Sequence, residues 1–298
     1  MKNTVFIGSV LSSKAALETL IEQGVKIDLV CSLDEAAATN VSDYYPVHRI
    51  AEKFGLRYVK FRKVTDAEVV CRIREAEPDF IFVIGLSQII PPHMLGLARE
   101  YTVGFHPTPL PRYRGRAALP WMILLGEKNL KATILKLDQG MDSGDIICQV
   151  PYEIGDTDYV TDVYGKVCRA MQQGLAQCLP DIYGGTVRFI PQDEEEATYL
   201  MIRRPEDGKI QWHLPAADIA RLVRAASRPY PGAFTGYGGK RLVIWRAHAV
   251  ENRRYIGLPG QIAWVRESGE LGVLTGDGIL VVTEHEHEGR LLAGHRLL

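Results

Sequence analysis

Asp79-Phe80-Ile81-Phe82-Val83-Ile84 is an almost unbroken apolar run. It is too short to cross a membrane and too continuous for a strand with one wet face. It reads as a β-strand covered on both sides, inside a parallel sheet whose crossover helices coat both faces. The residues upstream supply those crossovers. Residues 5–8, 12–23 and 25–31 read as strand, helix and strand, with Ala16, Leu17, Leu20 and Ile21 at helical spacing. Residues 47–54 read as a helix, 57–61 as a strand, 66–76 as a helix and 103–106 as the next strand. This alternation predicts an α/β fold with a doubly wound, mainly parallel, Rossmann-like sheet.

Further on, residues 117–125 read as a helix, 132–137 and 145–152 as strands, and 161–183 as a long amphipathic helix. Residues 191–197 are acidic and open a linker. A helix over 216–226 is broken by Pro229-Tyr230-Pro231-Gly232-Ala233, and short strands follow at 242–248, 260–265, 271–275 and 278–283. That spacing predicts a small, β-rich, OB-like barrel. The expected division is a catalytic domain over 1–203 and a C-terminal subdomain over 204–298.

Composition narrows the function classes. Of 298 residues, 46% are hydrophobic and 24% charged, so a substantial core needs no covalent staples. The 35 basic and 36 acidic residues give a net charge of −1, which argues against a dominant nucleic-acid surface. Five dispersed cysteines (Cys31, Cys71, Cys148, Cys168, Cys178) read as reduced thiols of a cytoplasmic protein. No secretory leader pattern opens the chain and no apolar stretch approaches membrane-spanning length.

Two segments carry the chemistry. Gly104-Phe105-His106-Pro107-Thr108-Pro109-Leu110-Pro111-Arg112-Tyr113-Arg114-Gly115 puts a histidine at the carboxyl end of a strand, where α/β sheets bind ligands, and follows it with a stiff proline loop. Leu137-Asp138-Gln139-Gly140-Met141-Asp142-Ser143-Gly144-Asp145 is a tight turn with Asp142 on it, 36 residues after His106. A rigid histidine near a carboxylate suits proton transfer. Each also has a plain reading: a structural histidine, and an aspartate that caps a turn.

Together the two segments resemble the 10-formyltetrahydrofolate-dependent formyltransferases, which carry Asn-x-His-x-Ser-Leu-Leu-Pro, an Arg-Gly pair and then an Asp-x-Gly turn about 36 residues after the histidine. Arg203-Arg204-Pro205-Glu206-Asp207-Gly208, Trp212, Arg228-Pro229-Tyr230-Pro231-Gly232 and Pro259-Gly260 extend the resemblance over nearly the whole chain. One departure stands out: the family asparagine falls on Gly104.

The resemblance implies 10-formyltetrahydrofolate as co-substrate, without a metal. It implies His106 as proton shuttle and Asp142 as the group that orients it. Leu86, Ser87, Gln88, Ile89 and Ile90, with Asp138, Gly140 and Met141, would hold the folate. Thr108, Arg112, Tyr113 and Arg114 would meet the acceptor, the arginines as contacts for an anion. Either Gln88, Thr108, a main-chain N–H or protonated His106 replaces the missing asparagine as oxyanion donor, or transfer is weak, and Gly104→Asn is expected to be tolerated. His285-Glu286-His287-Glu288 invites a metal reading, but a solvated edge strand accounts for it.

Family members that act on tRNA carry a basic insertion after the second strand. Here Ser32-Leu33-Asp34-Glu35-Ala36-Ala37-Ala38-Thr39-Asn40 has neither Lys nor Arg, which favours a nucleotide-linked amino sugar as acceptor over nucleic acid. Methionyl-tRNA formyltransferase, 10-formyltetrahydrofolate hydrolase and a non-catalytic ligand-binding protein stay open as alternatives. Among partners, the chain points to a small molecule and, at most, a second copy of itself in a homodimer.

Overall fold

The computed structural model describes residues 2–298. In chain order the first elements are β1 (Thr4–Gly8), α1 (Leu11–Glu22), β2 (Ile27–Leu33), α2 (His48–Phe54), β3 (Tyr58–Phe61), α3 (Ala67–Glu75), β4 (Phe80–Val83), α4 (Pro92–Leu95) and β5 (Tyr101–His106). Then come β6 (Arg114–Gly115), α5 (Ala118–Leu125), β7 (Asn129–Lys136), β8 (Ile146–Glu153), α6 (Val160–Gly184) and β9 (Tyr199–Leu200). The chain forms two compact units.

The first unit takes the chain up to Ala118, then Asn129–Glu153 and Gly165–Leu200. Its seven-stranded sheet runs β3-β2-β1-β4-β5-β7-β8. β1 to β5 pair in parallel, while β5 with β7 and β7 with β8 are antiparallel. The winding reverses between β1 and β4, as in other doubly wound sheets. Side-chain alternation explains the two covered faces. Val5, Ile7, Ile81 and Val83 pack in one core with Val69 and Ile73 of α3. Phe6, Phe80 and Phe82 pack in the other with Leu17 and Leu20 of α1 and Met171 and Leu175 of α6.

The turn after β1 is filled by its own hydroxyls. Ser13 Oγ accepts from the N–H groups of Ser9 and Val10 and donates to Ile84 O at 2.6 Å. The Gly8-Ser9 turn therefore has no open phosphate cradle.

The second unit holds Leu119–Lys128, Ile154–Tyr164 and Met201–Leu298. It contains α7 (Ala216–Ala226) and β10 (Ala233–Tyr237), β11 (Lys240–Glu251), β12 (Ile262–Val265), β13 (Leu271–Leu274) and β14 (Gly278–Glu286). The five strands form an antiparallel sheet in the order β10-β11-β14-β13-β12. Residues 294–298 lie between its two edges. On one side Ile262 N donates to His295 O and Leu297 N to Gly260 O, each at 2.8 Å. On the other, Gly236 N donates to Leu298 O at 3.0 Å and Leu298 N to Gly236 O at 2.9 Å. Leu297 is buried in the core beneath.

β10 is absent from the sequence reading, which treats Ala233 as the end of a break; the strand begins there, and its Gly236 weakens any β signal. The early excursions into this unit are equally invisible in sequence. They are held by contacts such as Tyr159 Oη, which donates to Ala247 O at 3.2 Å and accepts from Ala247 N at 3.1 Å, and Trp121 Nε1 donating to Met201 O at 2.8 Å. The edge-strand reading of 285–288 is corrected by the sheet order: β14 is the central strand, paired with β11 and β13, and at its end His285 Nε2 faces Gly269 O and His287 Nδ1 faces Arg241 O. Among the described residues no helix is long and apolar enough to cross a membrane.

Candidate active site

His106 closes β5, opposite Thr133 of β7. The proline loop that follows is stiff by composition and is also tied from behind. Thr133 Oγ1 donates to Thr108 O at 2.6 Å, Gln149 Nε2 to Leu110 O at 2.9 Å and Tyr152 Oη to Pro107 O at 2.7 Å. Burial pushes the Tyr152 phenol well above its ordinary range, so it stays a donor. Three side chains on two antiparallel strands thus fix where the loop leaves the histidine. None of them belongs to a recognisable motif.

The loop returns to the ring. His106 Nε2 lies 2.9 Å from Tyr113 O, and a carbonyl can only accept, so Nε2 carries the hydrogen. His106 Nδ1 faces Asp142 Oδ2 at 3.5 Å. The same Oδ2 accepts from Gly115 N at 2.8 Å. His106 is buried and the Asp142 side chain is 24% exposed. The two segments singled out in the sequence therefore meet. Nδ1 is the free basic position of the neutral ring, and the imidazolium has an acceptor at each nitrogen.

The Asp142 turn is tightly built. Asp138 Oδ1 accepts from Gly140 N at 3.0 Å and from Ser143 Oγ at 2.9 Å, so this carboxylate caps the turn. A β-carbon on Gly140 would fall 1.9 Å from Ser143 Oγ, so only glycine fits. Asp142 takes φ 53°, and Met141 is left 57% exposed.

Several expected ligand contacts are placed differently. Arg114 is 1% exposed and is no surface anion contact. Its Nη1 and Nη2 pair with Glu194 at 2.9 and 2.7 Å, which raises its pKa further and lowers that of Glu194. An arginine this deeply buried needs a fixed counter-charge, and Glu194 supplies it. Thr108 is fully buried and its hydroxyl turns to Arg112 O and Tyr113 O, both at 3.1 Å, so it meets no acceptor and no oxyanion. Gln88 is also spent: its Oε1 accepts from Val64 N at 2.7 Å and its Nε2 donates to Arg62 O at 2.9 Å. It anchors its loop to the segment after β3.

Leu86 and Ile90 pack on the core beside β4, Ser87 is exposed and Ile89 is 88% exposed. Arg116 Nη2 donates to Ser87 O at 3.3 Å, tying this loop to the loop after His106. Arg112 donates to Tyr113 Oη at 2.7 Å and stacks over its ring. Gly104 sits in regular strand backbone rather than at positive φ. A β-carbon there would meet Leu137 Cδ2 at 2.3 Å.

The sequence marks 191–197 only as the opening of a linker, but residues 192–200 pack on the site. Gln192 Nε2 donates to Asp142 O and Gly144 O, both at 2.7 Å. Thr198 receives the N–H groups of Tyr113 and Arg114, each at 2.8 Å, and β9 pairs with β6. Its one sequence signal is Gln192 and Glu194 beside a stretch of acids, which looks solvated until Arg114 is known to be buried.

Known proteins agree with this architecture. HypX from Aquifex aeolicus in complex with tetrahydrofolic acid superposes with a TM-score of 0.68 at 18% identity over 95% of this chain and 44% of that one. This chain thus spans less than half the length of HypX. An N-formyltransferase from Helicobacter canadensis, solved with folinic acid and dTDP-3-aminofucose, gives a TM-score of 0.69 at 15% identity over 96% and 100%. Methionyl-tRNA formyltransferase from Clostridium thermocellum gives 0.62 at 22% identity over 83% and 93%. At these identities the likeness is one of fold. The sequence itself matches two family models, formyl transferase over residues 1–179 and the formyl transferase C-terminal domain over residues 203–295. With more than half of its residues in the first of these, the chain belongs to the formyl transferase family.

Proposed function

We propose that this protein transfers the formyl group of 10-formyltetrahydrofolate to the amine of a nucleotide-linked amino sugar. The chemistry is assigned to residues 1–203, with 204–298 as a C-terminal subdomain. The observation that carries the reading is the His106 ring, with Tyr113 O at Nε2 and the Asp142 carboxylate at Nδ1.

Formyl transfer needs the amine to lose a proton and the departing folate nitrogen to gain one. His106 Nδ1 takes the first proton. The resulting imidazolium is stabilised by Asp142 on one side and Tyr113 O on the other, and it hands the proton on. With Gln88 and Thr108 committed elsewhere, the donors left for charge on the formyl oxygen are protonated His106 and main-chain N–H groups. Ile89 and Met141, the exposed apolar side chains on the two segments proposed to hold the folate, suit a flat ring that would bury them.

The amino-sugar acceptor is supported by the uncharged and acidic residues at 32–40, whose Asp34 caps its own turn and whose Glu35 is paired with Lys60. It is supported also by fold neighbours solved with a nucleotide sugar or its nucleotide. One observation favours a second reading. Gly104 removes the family's side-chain donor, and a site so weakened could pass the formyl group to water, as a hydrolase.

Incubation with 10-formyltetrahydrofolate and a panel of nucleotide-linked amino sugars separates these. Folate release that requires an amino sugar supports the transferase. Release without any amine establishes the hydrolase, and formylation of charged initiator tRNA establishes the tRNA enzyme. Folate binding without turnover overturns all three.

A further inference from the structure

We infer that Gln192 is a positioning residue of the active site, whose carboxamide locks the Asp142 turn to Arg114 and so sets the carboxylate that faces His106. The inference rests on the roles proposed above for His106 and Asp142. Gln192 lies outside both signature segments.

Asp142 needs such a lock. Its φ of 53° is one that residues other than glycine hold only where their surroundings over-determine it. Its Oδ2 bond to Gly115 N fixes the side chain. The main chain is fixed by Gln192, whose two Nε2 hydrogens go to Asp142 O and Gly144 O, both at 2.7 Å. These carbonyls lie two residues apart at the exit of the turn, so one amide group clamps that end.

The other end of the carboxamide is equally occupied. Gln192 Oε1 accepts from Arg114 Nε at 3.1 Å and Nη2 at 2.9 Å. Both hydrogens and both lone pairs are thus used, which settles the orientation of the amide: flipped, it would set N–H against N–H and oxygen against oxygen. Arg114 is in turn immobile. It is buried, pairs with both oxygens of Glu194 and donates from Nη1 to Tyr199 Oη at 3.1 Å.

The same segment holds the second partner of the histidine. Thr198 Oγ1 accepts from Tyr113 N, and Tyr113 O is the acceptor for His106 Nε2. Both acceptors of the His106 ring are therefore referenced to residues 192–198. Asp142 is the charged group at that ring, and the Arg114 charge is taken up by Glu194.

Only an amide of this length can donate twice to carbonyls and accept twice from an arginine. Gln192→Met keeps the length and loses both functions. Gln192→Glu keeps the acceptor for Arg114 and loses the donors to the turn.

The test measures kcat, KM for 10-formyltetrahydrofolate and thermal stability of both variants, and compares the nitrogen NMR signals of the His106 ring at one pH in wild type, Gln192→Met and Asp142→Asn. The expected result is a fall in kcat of about 10- to 100-fold in both Gln192 variants, as for a catalytic group misplaced by an ångström or less, with KM changed by less than about threefold. The ring-nitrogen signals of His106 should move in Gln192→Met in the same direction as in Asp142→Asn, because the carboxylate no longer faces Nδ1.

A kcat within about twofold of wild type in either folded variant overturns the inference, as does a lost kcat with unmoved His106 ring signals in Gln192→Met. If Gln192→Met does not fold, Gln192→Glu decides by its kcat at retained stability. If wild type turns over no formyl donor, the functional reading falls, while the ring signals, which need no turnover, still decide the placement.

Discussion

Leu137 occupies the space that a side chain at Gly104 would need, its Cδ2 lying 2.3 Å and its Cγ 2.8 Å from where a β-carbon would stand. The glycine on β5 and the leucine just past the end of β7 are two sides of one packing arrangement. The space left by the family's asparagine is filled with hydrocarbon, and no hole remains for a donor.

Gly104→Asn should therefore destabilise the protein by about 1–3 kcal/mol through overpacking. It should lower turnover, because Leu137 is displaced toward the Asp142 turn. This reverses the tolerance expected from the sequence. Combining it with Leu137→Ala should recover stability, with a coupling of roughly 1 kcal/mol or more in a double-mutant cycle. Additive melting temperatures would show that the two sites do not share space.

His106→Ala and Asp142→Asn should each reduce formyl transfer at least about 100-fold while the protein stays folded. Asp142→Asn is the sharper test, since an asparagine oxygen can still accept from Gly115 N but cannot balance an imidazolium. Steady-state turnover with the preferred acceptor and a melting curve check both. Near-normal rates in either variant would remove that residue from the mechanism.

The Arg114–Glu194 pair should give the strap over 192–200 an acid limit. Its partner guanidinium holds the Glu194 carboxyl below the usual carboxylate range. A carboxyl whose folded pKa is depressed contributes stability in full above its unfolded pKa, about 4.3, and loses it as pH falls through the folded value. Glu194→Gln should thus melt below wild type at pH 7, and the two curves should converge in acid. A gap that stays constant with pH would mean the pair contributes no charge term.

The acceptor reading has a salt signature. A protein that grips a polynucleotide through several phosphates loses roughly 10³- to 10⁵-fold in affinity between about 50 and 200 mM salt. With a nucleotide-linked amino sugar, KM should change by only about a few-fold over that range, and charged initiator tRNA should be a poor substrate throughout. Efficient tRNA formylation with a steep salt dependence would contradict the assignment of acceptor.

What could be read in advance follows from range along the chain. The sheet was legible because each strand and helix of a βαβ unit carries its own period, and 79–84 announces burial on both faces. His106 and Asp142 were legible because proline and glycine mark the segments that present them. Arg114, Gln88 and Thr108 were misread because polarity says nothing about direction: each spends its hydrogen bonds inward on main chain or on Glu194. Gln192 was missed for the opposite reason. Its importance comes from a contact 50 residues away in the chain, and nothing local distinguishes it from its solvated neighbours. β6 and β9 are two residues long and exist only as each other's partner.

The closing of the C-terminal sheet by residues 294–298 has a consequence for biogenesis. During synthesis β10 and β12 emerge well before the segment that bonds to both of them. Until it arrives, the nascent sheet presents two bare edges, each able to template pairing with a neighbouring chain on a polysome. The stretch that ends this hazard is five residues long, with Leu297 as its only fully inserted side chain. Small lesions there should show up first as poor yield of soluble protein, and only later, if at all, as lost catalysis.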